Sequence, residues 1–377
     1  MNIGERASAQ EVPADVLNRW RKLLSEEERP TPNAEPDRFL ATVSALGSRP
    51  VIMEIEDGHG RPGMIIARRE PMRVSTRIGY FRVPTPKLDS LVVVYGGILG
   101  RISSESVIDF LTKRLLGTER CDHIMINSLV ADSPVMLPLR RLKNAVVHPP
   151  ILHHRLRLGD TFESIMSRHS GKHRRRLSWE RRNLESVFDG KLEWVTLTSE
   201  EEVDRGLRDA ARIGRRTYHA KVGWLVEEND LWRAQLTLAA QAGELRAHFL
   251  VGSAQPIAFV LGWNVHNSYH VVAMAYLPEY ARYSPGKHLL LHAIERACVD
   301  GMEWVDYGFG DAEYKRVYGT DSWQESTVHI YGRSLRAGAA HVLDITAIRV
   351  EQWLRTIAGS SAAARIKKKW RQHVGGP

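Results

Sequence analysis

Three strand-like stretches joined by very short turns place the strongest constraint on the fold of this chain. They read LRAHFLVG, PIAFVLGWNV and SYHVVAMAY, and they occupy residues 245–252, 256–265 and 268–276. Apolar residues dominate them, and only two or three residues, mostly polar, separate each stretch from the next. Links this short join antiparallel neighbours. The sequence therefore predicts an antiparallel meander in the second half of the chain.

The elements around this meander follow an order that occurs twice. In the second half the strand LEWVTL and two helical stretches precede the meander, and a helix and the strand EWVDYG follow it. In the first half, helical stretches, a hairpin over residues 51–69, a strand, a helix and the strand DHIMINSLV repeat the order more weakly. We therefore interpret the chain as a structural duplication of the α/β class, in which each half forms a mixed, mostly antiparallel sheet flanked by helices.

The length of 377 residues also favours two domains, because a single hydrophobic core rarely serves so long a chain. The adjacent prolines Pro149 and Pro150 stiffen the chain and mark the predicted seam. The predicted division is an N-terminal domain over residues 1–150, a second domain over 151–335, and a C-terminal helix with a basic tail over 336–377.

Composition disfavours several classes of protein. The two cysteines, Cys121 and Cys298, lie in no CxxC or Cys/His ligand spacing, and the 16 histidines are scattered, so neither a disulfide scaffold nor a metal site is expected. The first residues form no apolar signal segment and no long apolar run occurs, so a cytoplasmic protein is expected. The net charge of +9 favours anionic partners, which include nucleic acid, a membrane surface and a phosphorylated small molecule.

The stretch RYSPGKHLLLHAIERA, residues 282–297, predicts a helix whose first turn binds an anion. Its Gly-Lys pair lacks the other residues of a P-loop, which excludes that motif. Ser284 is predicted to cap the helix with its side chain, Pro285 suits the first helical position, and Gly286 leaves its N–H uncovered. Free N–H groups and the positive end of the helix dipole then meet at one place. A capped structural helix without a ligand is the alternative.

A family resemblance extends from Arg174 to Gly319. The stretches KHRRRLSWERRNLE, QPIAFVLGW, YARYSPGKHLLLHAIERACVDGMEWVDYGFG and AEYKRVYG resemble the acetyltransferase domain of the CelD/BcsL family, within the GNAT superfamily. The resemblance implies that acetyl-CoA or another acyl-CoA is the co-substrate and that the acceptor belongs to exopolysaccharide or envelope synthesis. The first domain would be a degenerate GNAT-like domain. The tandem arrangement also resembles the Fem transferases of peptidoglycan, although the long helical arm of that group is not evident here.

The resemblance also implies a coenzyme site, and its residues fall into two groups. The diphosphate would meet Ser284, Gly286, Lys287 and His288, with Arg282 beside them. The pantetheine arm would lie between two diverging strands, where it meets Val272 and Met274. The usual GNAT signature, Arg/Gln-x-x-Gly-x-Gly/Ala, is represented by Gly286 alone.

The candidate catalytic residues lie in the stretch DYGFGDAEYKRVYG. No GxSxG elbow and no convincing Cys/His pair occurs, so direct transfer from the thioester is expected. Asp306 would act as a base or orient one, or would bond the glycine-rich loop after it. Tyr314 would give a proton to the thiolate, although a half-buried tyrosine ring is also ordinary. Lys315 would meet phosphate or developing charge, with a solvated surface lysine as the alternative. Gly308 and Gly310 are predicted to adopt positive φ or to allow close backbone approach.

Two basic stretches leave further alternatives open. Arg174, Arg175 and Arg176 are predicted to hold an anionic or sugar-phosphate acceptor, while a nucleic-acid helix and a plain solvated face are the other interpretations. The C-terminal stretch ARIKKKWRQH is either a solvated tail or a segment that rests on the inner face of an anionic membrane.

The sequence as a whole predicts direct acyl transfer from acyl-CoA to an amine, or alternatively a hydroxyl, of an envelope-related acceptor. An aminoacyl-tRNA-dependent transfer of the Fem type is one alternative, and tRNA would then be the nucleic-acid partner. A non-catalytic protein that binds an anionic envelope precursor or nucleic acid on a degenerate GNAT fold is the other.

Overall fold

The structure is a computed structural model that describes residues 3–5, 12–78, 81–118, 121–159, 161–217 and 226–374. The strands, in chain order, are β1 (Ile3–Glu5), β2 (Arg49–Glu56), β3 (Pro62–Arg73), β4 (Arg77–Ile78), β5 (Phe81–Arg82), β6 (Lys87–Leu99), β7 (His123–Val130), β8 (Ala145–Val147), β9 (Ile151–Arg157), β10 (Leu192–Leu197), β11 (Leu245–Gly252), β12 (Gln255–Val265), β13 (Ser268–Tyr276), β14 (Trp304–Phe309) and β15 (Asp321–Tyr331).

The helices, in chain order, are α1 (Ala14–Ser25), α2 (Pro36–Leu46), α3 (Ser104–Asp109), α4 (Met136–Arg141), α5 (Phe162–Ser167), α6 (Gly171–Ser186), α7 (Val203–Arg215), α8 (Asp230–Gln241), α9 (Pro285–Val299), α10 (Glu313–Tyr318) and α11 (Leu335–Val374). A π-helical segment, Phe110–Thr118, continues α3. Among the described residues, none of the helices combines the length and the apolarity that crossing a bilayer requires.

The chain forms two compact units. The first consists of Met1–Ile151 together with Trp323–Lys369, and Leu152–Ser322 is the main part of the second. The sequence instead placed residues up to 335 in the second domain and the C-terminal helix apart from both. The difference arises because β15 forms its ladders with β7 and β8 of the first unit, which draws the end of the chain into that unit.

The first unit has the strand order β1-β2-β3-β6-β7-β15, and β8 also pairs with β15. All its ladders are antiparallel except the one between β6 and β7, which are joined through α3 and its π-helical extension. A helical crossover of this kind returns the chain in the same direction, so the two strands run parallel. One apolar core, around Trp20 and Phe39, lies beneath α1 and α2, and a second, around Leu111 and Leu139, lies beneath α3 and α4.

A buried polar cluster fixes α11 in the first unit. Asp344 on this helix accepts hydrogen bonds from Tyr331 (2.8 Å), Thr76 (2.9 Å) and the His148 ring (3.0 Å). Burial alone would raise the pKa of Asp344, but the His148 hydrogen bond and charge lower it to about 2. The carboxylate is therefore ionised and satisfied inside the protein.

The second unit has the strand order β9-β14-β13-β12-β11-β10. Strands β11, β12 and β13 form the antiparallel meander expected from their short turns, which confirms that prediction. Strands β13 and β14 run parallel because α9 forms the crossover between them. Leu289, Leu290, Ala293 and Ile294 of α9 are fully buried in the core of this unit.

The parallel pair β13 and β14 separates after only three positions. Ser268, Tyr269 and His270 lie opposite Trp304, Val305 and Asp306, and the described ladder ends there. Close to this point the β12–β13 register shifts, so that Val272 is the extra residue of a bulge. Gly262 opposite the bulge has no room for a side chain, because a Cβ there would lie 2.5 Å from the His270 carbonyl oxygen. The bulge and the divergence together open a cleft within this unit.

Candidate active site

The cleft between β13 and β14 has an unpaired strand edge on one side. Beyond His270, the described ladders of β13 join it to β12 alone. Val272, which is 39% exposed, and the partly buried Met274 lie on this free part of the strand. An extended strand with one free edge and apolar side chains suits an extended ligand that carries both amides and methylenes. The two residues predicted to meet pantetheine thus lie together on this edge.

Asp306 lies at the point of divergence, between two histidines. The His153 Nε2–H donates to Asp306 Oδ1 at 2.7 Å, and the Gly308 N–H donates to the same oxygen at 2.7 Å. The His270 Nδ1 atom is 3.6 Å from Asp306 Oδ2. Burial acts to raise the pKa of Asp306, but the His153 hydrogen bond and the two imidazoles outweigh it, and the pKa lies below its ordinary value. Asp306 is therefore a carboxylate that both fixes the following loop and faces His270.

Lys315 is buried on α10 and is not a solvated surface lysine. It is 5% exposed, and its Nζ donates to the carbonyl oxygens of Gly308 (3.1 Å) and Phe309 (2.5 Å). Burial lowers the pKa of Lys315 to about 8, and the attraction of Asp306 opposes this only in part. The lysine therefore holds the end of β14 in place and titrates close to neutral pH.

Two tyrosines complete this end of the cleft. The Tyr314 ring is half-buried and packs edge-on against the Tyr307 ring, with centroids 5.9 Å apart. Tyr307 is buried, and within the described residues its hydroxyl has no hydrogen-bond partner. Burial raises the pKa of Tyr307 well above its ordinary value, so this phenol is neutral. Gly308 and Gly310 have φ of 66° and 97°, which confirms the prediction of positive φ.

The start of α9 differs from its predicted geometry. Ser284 was expected to cap the helix with its hydroxyl, but its side chain makes no capping hydrogen bond, so that prediction was wrong. A 3₁₀ turn over Pro278–Tyr283 ends at Ser284 and leaves it in the left-handed conformation (φ 54°, ψ 44°) instead of the extended conformation that a capping residue usually adopts. The Ser284 carbonyl instead accepts from the N–H groups of Lys287 (3.1 Å) and His288 (3.3 Å).

Gly286 lies in a close contact between α9 and β13. A Cβ at this position would lie 2.8 Å from the Tyr276 ring and 3.6 Å from the Met274 methyl group. In the part of the chain that the structure describes, no acceptor takes the Gly286 N–H. The first turn of α9 therefore holds one unpaired donor, which adjoins the free edge of β13 and belongs to a buried residue instead of the uncovered one that the sequence predicted.

A carboxylate lies beside this helix start. Glu180 of α6 pairs with Lys287 through Oε2 and with Arg176 through Oε1 (3.1 Å), and its Oε2 is 4.0 Å from the His288 Nε2 atom. Burial would raise the pKa of Glu180, but Lys287 outweighs it and lowers the pKa. Burial lowers the pKa of His288 to about 4, and Lys287 adds to this effect. Lys287 is thus not a free cation here, and its predicted role at a diphosphate stays a prediction.

The remaining predicted site residues lie on the surface of the second unit. Arg174 and Arg175 are exposed on α6, and the Arg176 side chain is exposed apart from its pairing with Glu180. Arg282 is exposed and its guanidinium lies 4.6 Å from the centroid of the Tyr283 ring. The proposed acceptor role of the three α6 arginines stays a prediction.

Sequence reasoning missed His153, His270 and Glu180. Each acts through a partner more than thirty residues away, and no local pattern marks such pairs. The only signal was the His-His pair at residues 153–154 on a strand, where one of the two side chains must face inward. Among the described residues, no group of three or more His, Cys, Asp or Glu side chains is placed to hold a metal ion.

Comparisons with known proteins bear on the domain and the fold of this chain. Residues 171–316 match the family model of the acetyltransferase (GNAT) domain. Among solved structures, the chain is similar to FemX (10% identity, 88% of this chain and 97% of that chain covered, TM-score 0.56). It is also similar to a tandem GNAT protein from the clavulanic acid biosynthesis pathway (12% identity, 87% and 98% covered, TM-score 0.51). A conserved protein of unknown function from Bacteroides thetaiotaomicron VPI-5482 is a further neighbour (8% identity, 88% and 99% covered, TM-score 0.53).

No curated protein sequence matches the chain significantly. At such low identities the structural likenesses show the fold alone, which is the α/β fold of tandem GNAT-like proteins, as predicted. The match to the acetyltransferase (GNAT) domain model covers residues 171–316 of the second unit, less than half of the chain, and it supports an acyltransferase. Within that class, the assignment to the CelD/BcsL family stays a prediction.

Proposed function

We propose that the second unit transfers an acyl group from acyl-CoA directly to an amine, with an acceptor drawn from envelope or exopolysaccharide synthesis. The observation that carries this proposal is the divergence of β13 from β14, with His270, Asp306 and Lys315 grouped at the point where the strands separate. The GNAT domain match supports acyl-CoA as the donor, and the resemblance to the CelD/BcsL family supports the acceptor class.

The coenzyme would lie along the free edge of β13. The amides of pantetheine pair with the backbone near Val272 and Met274, as an added strand would. The diphosphate then reaches the first turn of α9, where the Gly286 N–H and the helix dipole favour negative charge. The thioester ends near His270, because that is where the cleft closes.

His270 is the proposed proton acceptor. The attacking amine must lose a proton as its nitrogen bonds to the acyl carbon, and the His270 imidazole at the closed end of the cleft is the proposed base that takes it. The Asp306 carboxylate, 3.6 Å from His270 Nδ1, stabilises the imidazolium that results. His153 is a positioning residue, since its hydrogen bond fixes the Asp306 side chain.

Tyr314 and Lys315 act on the leaving group in this proposal. When the C–S bond breaks, the departing thiolate takes the phenolic proton of Tyr314, which balances the proton taken by His270. Lys315 holds the carbonyls of Gly308 and Phe309, and its positive charge, which predominates below pH 8, stabilises the negative charge that develops nearby.

The test compares His270→Ala with the matched control His59→Ala, which changes an exposed histidine in the turn between β2 and β3. Isotopically labelled acetyl-CoA is incubated with the protein and a small-molecule cell extract, and labelled products are counted by mass spectrometry. Loss of a general base lowers turnover by about 10²- to 10⁴-fold. Turnover by His270→Ala equal to that of the control would remove His270 from the mechanism.

The alternatives from the sequence give different results in one binding assay. Acyl-CoA should raise the thermal midpoint of the protein, because a ligand of the folded state stabilises it. A rise with aminoacyl-tRNA and none with acyl-CoA would establish the Fem-like route instead. Binding of acyl-CoA without any labelled product would favour the non-catalytic binding protein.

A further inference from the structure

A small cavity lies beside the first turn of α9, within the second unit. It measures about 220 Å³ and is lined by Trp179, Glu180 and Asn183 of α6 and by Arg282 and Tyr283 of the preceding 3₁₀ turn. Arg282, predicted beside the diphosphate, and Glu180, the partner of Lys287, are among its lining residues, whereas the residues proposed for proton transfer are not. Two aromatic rings, an amide and a guanidinium therefore share one recess on the surface of this unit.

We propose that this cavity binds the purine base of the coenzyme, with Trp179 as its stacking surface. The proposal rests on the acyl-CoA function proposed above and extends it to the nucleotide end of the donor. Trp179 is 58% exposed on a helix that is otherwise rich in arginine, so its indole is accessible to a ligand and is not packed in the hydrophobic core. Aromatic stacking recognises any base by its π-face and is a common way to hold one.

The position of the cavity fits the order of groups along the coenzyme. Tyr276 at the end of β13 contacts Gly286 at the start of α9, and Lys287 in the same turn contacts Glu180 at the cavity wall. A ligand that follows the edge of β13 with its pantetheine arm and places its diphosphate at Gly286 therefore has its nucleotide end at Trp179. The pantetheine arm, the diphosphate and the base would thus contact β13, the first turn of α9 and the cavity at Trp179, respectively.

The charges around the cavity favour an anionic ligand over an amine. An aromatic pocket with one carboxylate would suit a cation, but Glu180 is already paired with Lys287 and Arg176. Arg282 adds a further positive charge, and its guanidinium lies against the Tyr283 ring. An arginine held in this way presents its remaining donors to a phosphate, and the Asn183 amide offers both a donor and an acceptor to the base edge.

The test compares coenzyme A with 4′-phosphopantetheine, which lacks the nucleotide. Binding of each to the full chain is measured by calorimetry for wild type, Trp179→Ala and Trp179→Phe. Trp353→Ala is the matched control, since Trp353 is 62% exposed and lies on α11 in the first unit. Trp179→Ala should weaken coenzyme A binding by about 5- to 100-fold and leave 4′-phosphopantetheine unchanged. Trp179→Phe should restore most of the loss, because phenylalanine also stacks.

Three outcomes overturn the proposal, and they differ from one another. Unchanged affinity of Trp179→Ala for coenzyme A places the base elsewhere. An equal loss for both ligands shows a general disturbance of the site instead of a nucleotide contact. If wild type binds neither ligand, the proposed acyl-CoA function fails and this inference fails with it.

Discussion

Replacing Glu180 by Gln should weaken the folded state and tighten coenzyme binding at the same time. In the protein without ligand, the Glu180 carboxylate pairs with Lys287 in the first turn of α9 and with Arg176 one helical turn away on α6. A coenzyme diphosphate at the same helix start must displace this carboxylate from Lys287 or bind beside it. A glutamine side chain has nearly the same shape as glutamate but carries no charge, so the variant Glu180→Gln removes the competition and preserves the packing.

The expected size of the effect follows from the burial of the two pairs. Glu180 is 14% exposed and Lys287 is 20% exposed at their side chains, whereas the Arg176 side chain is 63% exposed. A hydrogen bond to a charged group contributes about 1.5 to 3 kcal/mol when it is shielded from water, and an exposed ion pair about 0 to 1 kcal/mol. The free energy of unfolding should therefore fall by about 1 to 3 kcal/mol. The released Lys287 should tighten coenzyme binding by about 5- to 30-fold, which corresponds to about 1 to 2 kcal/mol.

The assay measures both quantities on the same variant. Calorimetric unfolding gives the stability, and titration with coenzyme A gives the affinity. Glu185→Gln is the control, because Glu185 lies on the same helix and pairs with Arg181 instead of Lys287. Since the pKa of Glu180 is lowered in the folded state, its contribution is present above pH 4.5 and disappears as the pH falls below that value. Weaker coenzyme binding by Glu180→Gln would show that the carboxylate assists the ligand, and the competition argument would be refuted.

Three further predictions concern single residues. Burial lowers the pKa of Lys315 from 10.5 to about 8, so the folded protein pays the cost of burying a charged amine below pH 8 and loses that cost as the pH rises to 10.5. Measured by urea titration relative to Lys315→Met, the free energy of unfolding of the wild type should therefore rise by about 3 kcal/mol between pH 8 and pH 10.5. Ser284→Ala should change the free energy of unfolding very little, as measured by thermal unfolding. A decrease of about 1 kcal/mol would indicate that the hydroxyl caps α9 after all. Asp344→Asn should lower the free energy of unfolding by about 2 to 4 kcal/mol, because Tyr331, Thr76 and His148 then have a weaker hydrogen-bond partner. In denaturant unfolding, a decrease below about 0.5 kcal/mol, the size of an ordinary surface substitution, would contradict the described cluster.

The meander and the helices were predictable because their signals are local. Short polar turns fix β11, β12 and β13 as antiparallel neighbours, and the Pro-Gly start of α9 marks a helix boundary wherever it occurs. The positive φ of Gly308 and Gly310 was predictable for the same reason, since glycine tolerates this backbone region at little cost. Features that depend on a few consecutive residues can be deduced from the sequence.

The parts of the site that depend on distant partners were not predictable. The His153–Asp306 contact joins residues 153 positions apart, and the Lys287–Glu180 contact joins residues 107 positions apart. The left-handed Ser284 depends on the 3₁₀ turn that precedes it, and an N-cap signal does not reveal that turn. Strand β15 was expected in the second domain because its residues follow that domain in the chain. It pairs with β7 and β8 of the first unit instead, and pairing between strands so far apart in the chain leaves no local pattern in the sequence.

The corresponding helix start in the first unit argues that the chain binds one coenzyme. There, β6 and β7 run parallel and α3 connects them, as α9 connects β13 and β14. Before α3, however, the Gly100 N–H donates to Glu27 Oε1 (2.9 Å) and the Ser103 N–H donates to Asp57 Oδ2 (3.3 Å). Two backbone donors just before α3 are thus taken by carboxylates, and two negative charges there would repel a diphosphate. Titration with coenzyme A should give one equivalent per chain, and two equivalents of similar affinity would show that the first unit retains a site.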